Sequence, residues 1–238
     1  MTEQRTLYLV GTPIGNLKDI TYRAVEILGQ TPVLACEDTR VTRKIFDRYE
    51  IPKPRVIFSC NEHNERHAVT TIVRHLDGGE DVAYCSDAGM PGISDPGYLL
   101  VQAARNAGHK VDVIPGPSSS ISALVVSGLP SHSFTFLGFS PRKGGQRKKF
   151  IGRLGEQEDT LVFFESPYRI GAFLKDAFEV LGDRQAAVVV EQTKKFEEVS
   201  TGWLSELAEK FETKKVKGEI TVVIAGNVEK FIRPASAD

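Results

Sequence analysis

Residues 82–97 read VAYCSDAGMPGISDPG, a short apolar run followed by a long polar loop. Ser86–Gly97 contains three glycines, two prolines and two aspartates in twelve residues, so its backbone path is strongly restricted. Val82–Cys85 is typical of a buried strand, and Tyr98–Ala107 of a helix that Gly108 closes. Open α/β sheets bind small ligands at loops in this position. An ordinary strand-to-helix turn is the alternative, but such turns span about 2–6 residues, so the length favours a functional loop.

Similar apolar runs, rich in β-branched residues, alternate with helical patterns through the first half of the chain. The strand candidates are Leu7–Val10, Val33–Cys36, Val56–Ser59, Val82–Cys85 and Val111–Ile114. The clearest helix is Glu65–Leu76, which Asn64 can cap and the glycine pair at 78 and 79 can end. Asp95 and Pro96 fit the cap and first position of the next helix. Alternating strands and helices predict a mostly parallel sheet.

The second half predicts a mixed sheet, because only a short helix separates its last two strands. The strand candidates are Phe134–Phe139, Leu161–Glu165, Ala187–Glu191, Glu198–Thr201 and Glu219–Ala225, with helices at Tyr168–Leu181 and Trp203–Phe211. The segment PGPSSS at 115–120, followed by an apolar helix at Ile121–Ser127, indicates a domain junction. We therefore expect two α/β domains, residues 1–116 and 117–238. The polar tail from Glu229 is expected to fray.

Composition limits the kinds of partner and the cellular compartment that we expect for this protein. The 238 residues are 41% hydrophobic and 26% charged with a formal net charge of −1, so any nucleic-acid contact must come from a local patch. Cys36, Cys60 and Cys85 form no Cys-x-x-Cys motif, which favours buried free thiols in a reducing compartment. The sequence shows no signal-peptide pattern and no run of roughly 20 apolar residues. A cytoplasmic location is the resulting expectation.

Two motifs follow the first two predicted strands. Gly11–Leu17 reads GTPIGNL and lacks both the P-loop and the dinucleotide fingerprint, so ATPase and dehydrogenase functions lose their usual support. Glu37 and Asp38, beside Arg40, can orient a substrate or act as a general base. Asp38 or Thr39 equally fits the cap of the next helix, so both interpretations stay open.

A third motif, NEHNE at 61–65, follows the third predicted strand. His63 can accept a proton near neutral pH. Glu62 and Glu65 flank it, but the spacing matches no recognised metal-ligand pattern, so we expect no metal. A capped helix start with an exposed histidine is the alternative.

The segment from Arg142 to Lys149 concentrates positive charge, since five of its eight residues are cationic. A solvated surface is the usual explanation of such a run, but cations near a helix start oppose the helix dipole and favour an anionic partner. The motif ESPYR at 165–169 repeats the order of strand, polar turn and helix. Glu191 and Lys194 add polar groups that fit surface pairs equally well.

Taken in order, these loops resemble the tetrapyrrole methylase superfamily and, within it, the 16S rRNA (cytidine-2′-O)-methyltransferase family. The matching segments span nearly the whole chain and are residues 8–10, 12–17, 19–21, 37–40, 63–65, 86–89, 95–97, 115–117, 138–139, 165–166, 193–194 and 217–219. Three positions depart from the family: Met90 replaces a threonine, Cys36 an alanine and Gln192 a leucine. These three departures put the detailed substrate specificity in doubt more than the assignment to the class of methyltransferases.

The resemblance implies two α/β domains with S-adenosylmethionine in the cleft between them, a homodimer, and no metal. The implied acceptor is the 2′-hydroxyl of a cytidine in the decoding region of small-subunit rRNA. By motif position, the methyl donor would contact Pro13, Asp87, Ala88, Gly89, Met90, Ser118, Ser119, Phe164 and a residue near Glu191.

Methyl transfer to a ribose hydroxyl requires the donor sulfur, the methyl carbon and the acceptor oxygen to be aligned, which lowers the barrier by up to about 7–11 kcal/mol. It also requires a group that takes the hydroxyl proton, which raises the rate roughly 10²–10⁴-fold. Candidates for the acceptor are Glu37, Asp38, His63, Glu65, Glu165 and Lys194. Candidates for contact with RNA phosphate are Arg40, Arg43, Arg142, Lys143, Arg147, Lys148 and Lys149. One alternative is a tetrapyrrole or other small-molecule methyltransferase, which predicts an apolar, roomy cleft. Another is a non-catalytic RNA-binding module, which predicts no affinity for the methyl donor.

Overall fold

A computed structural model describes residues 4–234 of the chain. The chain divides into two compact units, Met1–Ser118 and Ser119–Asp238. The elements of unit 1 are β1 (Thr6–Val10), a 3₁₀ helix (Leu17–Asp19), α1 (Tyr22–Gln30), β2 (Val33–Cys36), α2 (Thr39–Tyr49), β3 (Val56–Ser59), α3 (Glu65–Asp77), β4 (Val82–Cys85), α4 (Tyr98–Asn106) and β5 (Lys110–Ile114).

Unit 1 is built on a five-stranded parallel sheet, sheet A, with strand order β3-β2-β4-β1-β5. Alternate residues of each strand enter different cores. On β4, for example, Val82 and Tyr84 pack with α3 and α4, while Ala83 and Cys85 pack with α1 and α2. The helices therefore cover both faces of the sheet, which leaves its carboxyl edge for the loops.

Unit 2 follows a different plan. Its elements are α5 (Ser119–Ser127), β6 (Phe134–Phe139), α6 (Gly144–Gly152), β7 (Thr160–Glu165), α7 (Ile170–Leu181), β8 (Gln185–Val190), β9 (Glu198–Trp203), α8 (Leu204–Thr213), β10 (Ile220–Ile224) and a 3₁₀ helix (Glu229–Phe231). The strands form sheet B, in the order β6-β7-β10-β8-β9. β6 and β7 are parallel and the other neighbours are antiparallel, so the prediction of a mixed second sheet is confirmed.

The faces of sheet B are covered unequally. α6, α7 and α8 pack on one face around a core that includes Phe163 and Phe173. On the opposite face, α5 contributes Ala123 and Leu124. α5 itself carries apolar side chains toward solvent, with Val125 72% exposed.

Three local expectations were wrong. α4 begins at Tyr98 after Gly97, because the loop closes on itself through a hydrogen bond from Gly92 N to Pro96 O at 3.0 Å, which leaves Asp95 outside the helix. Asn64 occupies the cap position of α3, as predicted, but the expected capping hydrogen bond is missing because its Oδ1 accepts from Asn61 N at 2.8 Å rather than from the helix.

The third concerns the tail, which does not fray at Glu229. Ile232 forms a bridge with Arg184, and Arg233 N donates to Asp183 O at 2.8 Å. Residues 235–238 of that tail lie outside the described residues. Within the part of the chain that the structure describes, no helix is long and apolar enough to cross a membrane.

Candidate functional site

The loops at the carboxyl edge of sheet A diverge around β4. The chain leaves β1 and β2 for helices on one face of the sheet, and leaves β4 for α4 on the other. Neighbouring strands whose connections separate in this way open crevices at their carboxyl ends, where α/β proteins bind ligands. The loop quoted first, Ser86–Gly97, begins at this point.

Backbone contacts join this loop to the one after β1. Thr12 and Gly89 exchange backbone hydrogen bonds of 2.9 and 3.1 Å, and the buried Thr12 hydroxyl donates to Ser86 O at 3.2 Å. Pro13, predicted to contact a donor, is buried next to this bridge. Residues 12–13 and 86–90 therefore form one structured wall.

The segment after β5, around Gly116, contacts the loops after β1 and β4. Gly11 packs against Gly116 so closely that a Cβ on Gly11 would lie 2.8 Å from the Gly116 Cα. Met90, one of the departures from the family pattern, accepts a hydrogen bond on its sulfur from Gly116 N at 3.2 Å. Ser118 ends unit 1 just beyond this contact, and Ser119 opens unit 2.

A cluster of carboxyl groups, here called the acid cluster, comprises Glu37, Asp87 and Asp95. Pairing of Cys36 with Cys85 in neighbouring strands brings the residues that follow them together. Asp38 N donates to Asp87 Oδ1 at 2.9 Å, and Asp87 N donates to Glu37 Oε2 at 3.1 Å. The two loops are thus tied by reciprocal hydrogen bonds.

Two carboxyl groups of the acid cluster have a raised pKa. Burial, followed by repulsion from Glu37, raises the pKa of Asp87 to about 6. The same two causes, in the same order, raise the pKa of Asp95 to about 6. A cation bound here would counter both raised pKa values, because an opposite charge nearby favours the ionised form of a carboxyl group. Sequence reasoning missed Asp95 as a site residue, because only the folded loop brings it close to Glu37.

Unit 1 distinguishes among the proposed proton acceptors. Asp38 caps α2, and hydrogen bonds from the side chain and backbone of Arg40 lower its pKa to about 2, which makes it a poor base. Glu65 lies at the start of α3 and accepts from Gly97 N at 3.0 Å through Oε1. His63 is exposed in the turn before it. Glu37 and Glu65 each use one oxygen in these bonds and have a second.

Glu165, proposed from sequence as a proton acceptor, is structural. It is 2% exposed at the end of β7. Oε1 meets Arg169 Nη2 at 2.6 Å and also accepts from Ser166 N at 2.6 Å. Oε2 accepts from the Ser140 hydroxyl at 2.6 Å. These three contacts give the Glu165 carboxylate a structural role in holding the turn after β7, and its role as a proton acceptor stays a prediction that the contacts do not support.

Lys194 is likewise committed to structure. Its amine lies 2.9 Å from Glu191 and 3.0 Å from Glu219. Burial alone would lower the pKa of Lys194, but these carboxylates outweigh burial and raise it, so the amine stays charged at neutral pH. Glu191 therefore also has a structural partner. Phe164, in β7, lies on the α5 side of sheet B with its ring 4.9 Å from that of Phe136.

The cationic segment before and within α6 separates into two groups. Arg147 is 5% exposed and meets Asp176 at 2.6 Å, and Lys148 lies 2.5 Å from Glu179. These two cations bind carboxylates of α7, so Arg147 cannot serve as a free phosphate ligand. Arg142, Lys143 and Lys149 are exposed. In unit 1, Arg43 is exposed as well, and Arg40 is exposed but paired with Asp38.

The three cysteines are free and buried, as predicted. Burial raises the pKa of Cys60 to about 12 and also raises that of Cys36, so these thiols stay protonated. Among residues 4–234, no three His, Cys, Asp or Glu side chains are grouped as a metal site would require.

Fold and motifs together define a methyltransferase class. The family model described as tetrapyrrole (corrin/porphyrin) methylases matches residues 6–208, and the chain belongs to this family. Solved structures share the fold. A uroporphyrin-III C-methyltransferase from Thermus thermophilus has a TM-score of 0.66 at 20% identity, over 93% of this chain and 94% of its own. A cobalt precorrin-4 methyltransferase has a TM-score of 0.68 at 17% identity, over 92% and 94%.

Curated relatives named ribosomal RNA small subunit methyltransferase I are much more similar in sequence. The Thermotoga maritima protein is 46% identical over 92% of this chain and 98% of its own length. The Mesorhizobium japonicum protein is 47% identical, over 98% and 79%. The Halalkalibacterium halodurans protein is 41% identical, over 96% and 78%.

Proposed function

We propose that this protein transfers a methyl group from S-adenosylmethionine to the ribose 2′-hydroxyl of a cytidine in the decoding region of 16S rRNA. The observation that carries the proposal is the 41–47% identity, over more than nine-tenths of the chain, to small-subunit rRNA methyltransferases. The proposal includes a cytoplasmic location and needs no bound metal.

The acid cluster supports a cationic methyl donor. S-adenosylmethionine supplies an electrophilic methyl group on a positively charged sulfonium and also carries an ammonium. Asp87 and Asp95 have a raised pKa because of burial and, second, because of repulsion from Glu37. A positive ligand would favour their ionised forms, so the residues present fit this donor. The loop of residues 86–90 would hold it, since its backbone is fixed by the Thr12–Gly89 bridge.

The acceptor hydroxyl needs a group that takes its proton. We propose that this group is one of the residues at the same edge that keep a proton-accepting atom: Glu37, His63 or Glu65. Glu37 is tied to Asp87 through only one oxygen, and Glu65 to Gly97 through only one. Asp38, Glu165 and Lys194 are less suited to the role, because each is engaged in an ion pair.

Contact with RNA phosphate is assigned to the exposed cations. Arg142, Lys143 and Lys149 belong to or precede α6, and Arg43 is exposed on α2. Phosphate neutralisation by such side chains produces affinity that falls with added salt. Arg147 and Lys148 instead hold α6 against α7.

A homodimer is part of the proposal. The exposed apolar side chains of α5 support it, since Ile121 is 45% and Val125 72% exposed. A second copy of the chain would remove such surface from water. Sedimentation equilibrium tests this directly, and a monomer at micromolar concentration would contradict it.

The activity is tested with small ribosomal subunits from cells that lack the protein. Incubation with methyl-labelled S-adenosylmethionine, nuclease digestion and mass spectrometry should place one new methyl group on a cytidine ribose. Methylation of a base, or labelling only when a tetrapyrrole is supplied, would contradict the proposal. Glu37→Gln, Glu65→Gln and His63→Gln, each assayed across pH, identify the proton acceptor by a lost pH dependence.

A further inference from the structure

Five strand ends meet at one edge of sheet B. Pairing of Ile220 with Glu165 and with Val190 places the end of β7, the end of β8 and the start of β10 side by side. Pairing of Glu198 with Val190 adds the start of β9, and Phe139 with Phe164 adds the end of β6. The turns at this edge therefore lie along a single line.

Three exposed aromatic side chains lie in or next to these turns. Tyr168, after β7, is 96% exposed; Phe196, between β8 and β9, is 74% exposed; and Phe139, at the end of β6, is 57% exposed. Single exposed apolar residues are common on protein surfaces. Three exposed rings along one edge are a different matter, because each can bury about 150–250 Å² against a partner.

The turn that carries Tyr168 is held by the buried Glu165. This carboxylate binds Ser166 N and the Arg169 guanidinium, one on each side of Tyr168 in sequence. Arg169 N also donates to Ser166 O at 2.9 Å. The exposed ring therefore projects from a fixed turn, which lowers the entropy lost when a partner binds.

The turn that carries Phe196 is also fixed. Glu191 and Thr193 have left-handed backbones, with φ of 51° and 62°. Lys194 N donates to Glu191 O at 3.0 Å, and Glu197 N donates to Lys194 O at 3.1 Å. Strained residues of this kind persist where surrounding bonds determine the conformation, and they concentrate at binding sites.

Cations lie between the rings. Arg142, Lys143, Lys195 and Lys217 are exposed at the same edge and form no ion pair with any residue in the range 4–234. The Lys195 amine lies 5.5 Å from the centre of the Phe196 ring.

The acidic groups at this edge are mostly neutralised. Glu165 pairs with Arg169, Glu191 and Glu219 pair with Lys194, and Glu198 pairs with Lys214. Glu197 accepts from Thr193 N at 2.5 Å. The charge left for a partner is therefore predominantly positive.

We infer that this edge binds unpaired RNA, with Tyr168 and Phe196 stacking on separate bases and the four cations contacting the phosphates. Alternating rings and cations are what single-stranded nucleic acid requires, because every base has a face that can stack. Neither ring was a candidate contact before the fold was known. The inference rests on the proposed function in taking RNA as the partner, and it specifies how that RNA is bound.

Fluorescence anisotropy with a labelled, unstructured oligocytidine of about 12 nucleotides tests the inference without any methyl donor. Tyr168→Ala and Phe196→Ala should each weaken binding about 5- to 100-fold, with the salt dependence unchanged. Phe196→Trp and Tyr168→Phe should retain affinity. Phe178→Ala, a partly exposed ring at the other end of α7, is the matched control and should have no effect.

Wild-type affinity in both alanine variants would overturn the inference. Weakened binding accompanied by a change in sedimentation would also overturn it, because the rings would then serve self-association. The inference and the proposed function can nevertheless fail separately. If the alanine variants lose oligonucleotide binding but the wild-type protein methylates no ribose, the methylation proposal alone is refuted. If the wild-type protein methylates the ribose and the alanine variants keep full oligonucleotide affinity, the stacking surface alone is refuted.

Discussion

Replacing Arg147 by alanine should destabilise unit 2, although the residue lies in a segment that resembles an RNA-binding patch. Its guanidinium is 5% exposed and forms bonds of 2.6 and 2.7 Å to Asp176. Removing one partner of a buried ion pair costs about 3–5 kcal/mol, because the other charge stays buried. Lys148, 3.7 Å from Asp176, supplies part of the lost compensation. We expect a net loss of about 2–4 kcal/mol in the free energy of unfolding.

Urea unfolding followed by circular dichroism measures this loss, which corresponds to a midpoint about 1–2 M lower. Lys149→Ala is the matched control, because its side chain is exposed and should change stability by less than about 0.5 kcal/mol. Adding Asp176→Ala to Arg147→Ala should recover part of the loss, since the unpaired charge is removed. An Arg147→Ala variant as stable as the Lys149→Ala control would show that the Arg147–Asp176 ion pair does not stabilise unit 2.

Two further predictions concern the loops. Gly218 has φ of +86° and a Cβ there would overlap the Glu191 carboxylate, so Gly218→Ala should cost about 1–3 kcal/mol in urea unfolding, whereas Gly145→Ala, with open space around it, should not. Asp87 binds a proton more tightly in the folded state, with a pKa of about 6 against the usual 3.8, so its contribution to stability falls as pH rises through about 6. Asp87→Asn should therefore raise the melting temperature more at pH 8 than at pH 4, while weakening donor affinity in calorimetry; equal shifts at both values would contradict this.

The sequence predicted the elements well because apolar periodicity is a local property. Val33–Cys36, Val56–Ser59 and Val82–Cys85 are strands with the predicted bounds. A cap prediction failed where backbone contacts within the loop decide it. The helix after the long loop begins at Tyr98, as predicted, but Asp95 and Pro96 lie outside it because residues 92–96 close on themselves, and this closure has no local sequence signal.

The roles of charged residues were harder to predict, because they depend on partners far away in the chain. Arg147 is structural through Asp176, 29 positions away, and Asp87 is perturbed by Glu37, 50 positions away. The two residues of each pair come into contact only in the folded protein, after the strands and helices that carry them have packed together. Residue type and spacing alone show that such a group could bind a ligand or transfer a proton. They do not show whether another residue of the protein already pairs with it.

The proposed activity of this protein is methyl transfer to a cytidine ribose of small-subunit rRNA. Mass-spectrometric mapping of 2′-O-methyl groups in 16S rRNA, from cells with and without the protein, tests it most directly. One cytidine ribose in the decoding region should lose its methyl group in the deletion and regain it with the wild-type chain. An identical methylation map in both cells would rule out this activity.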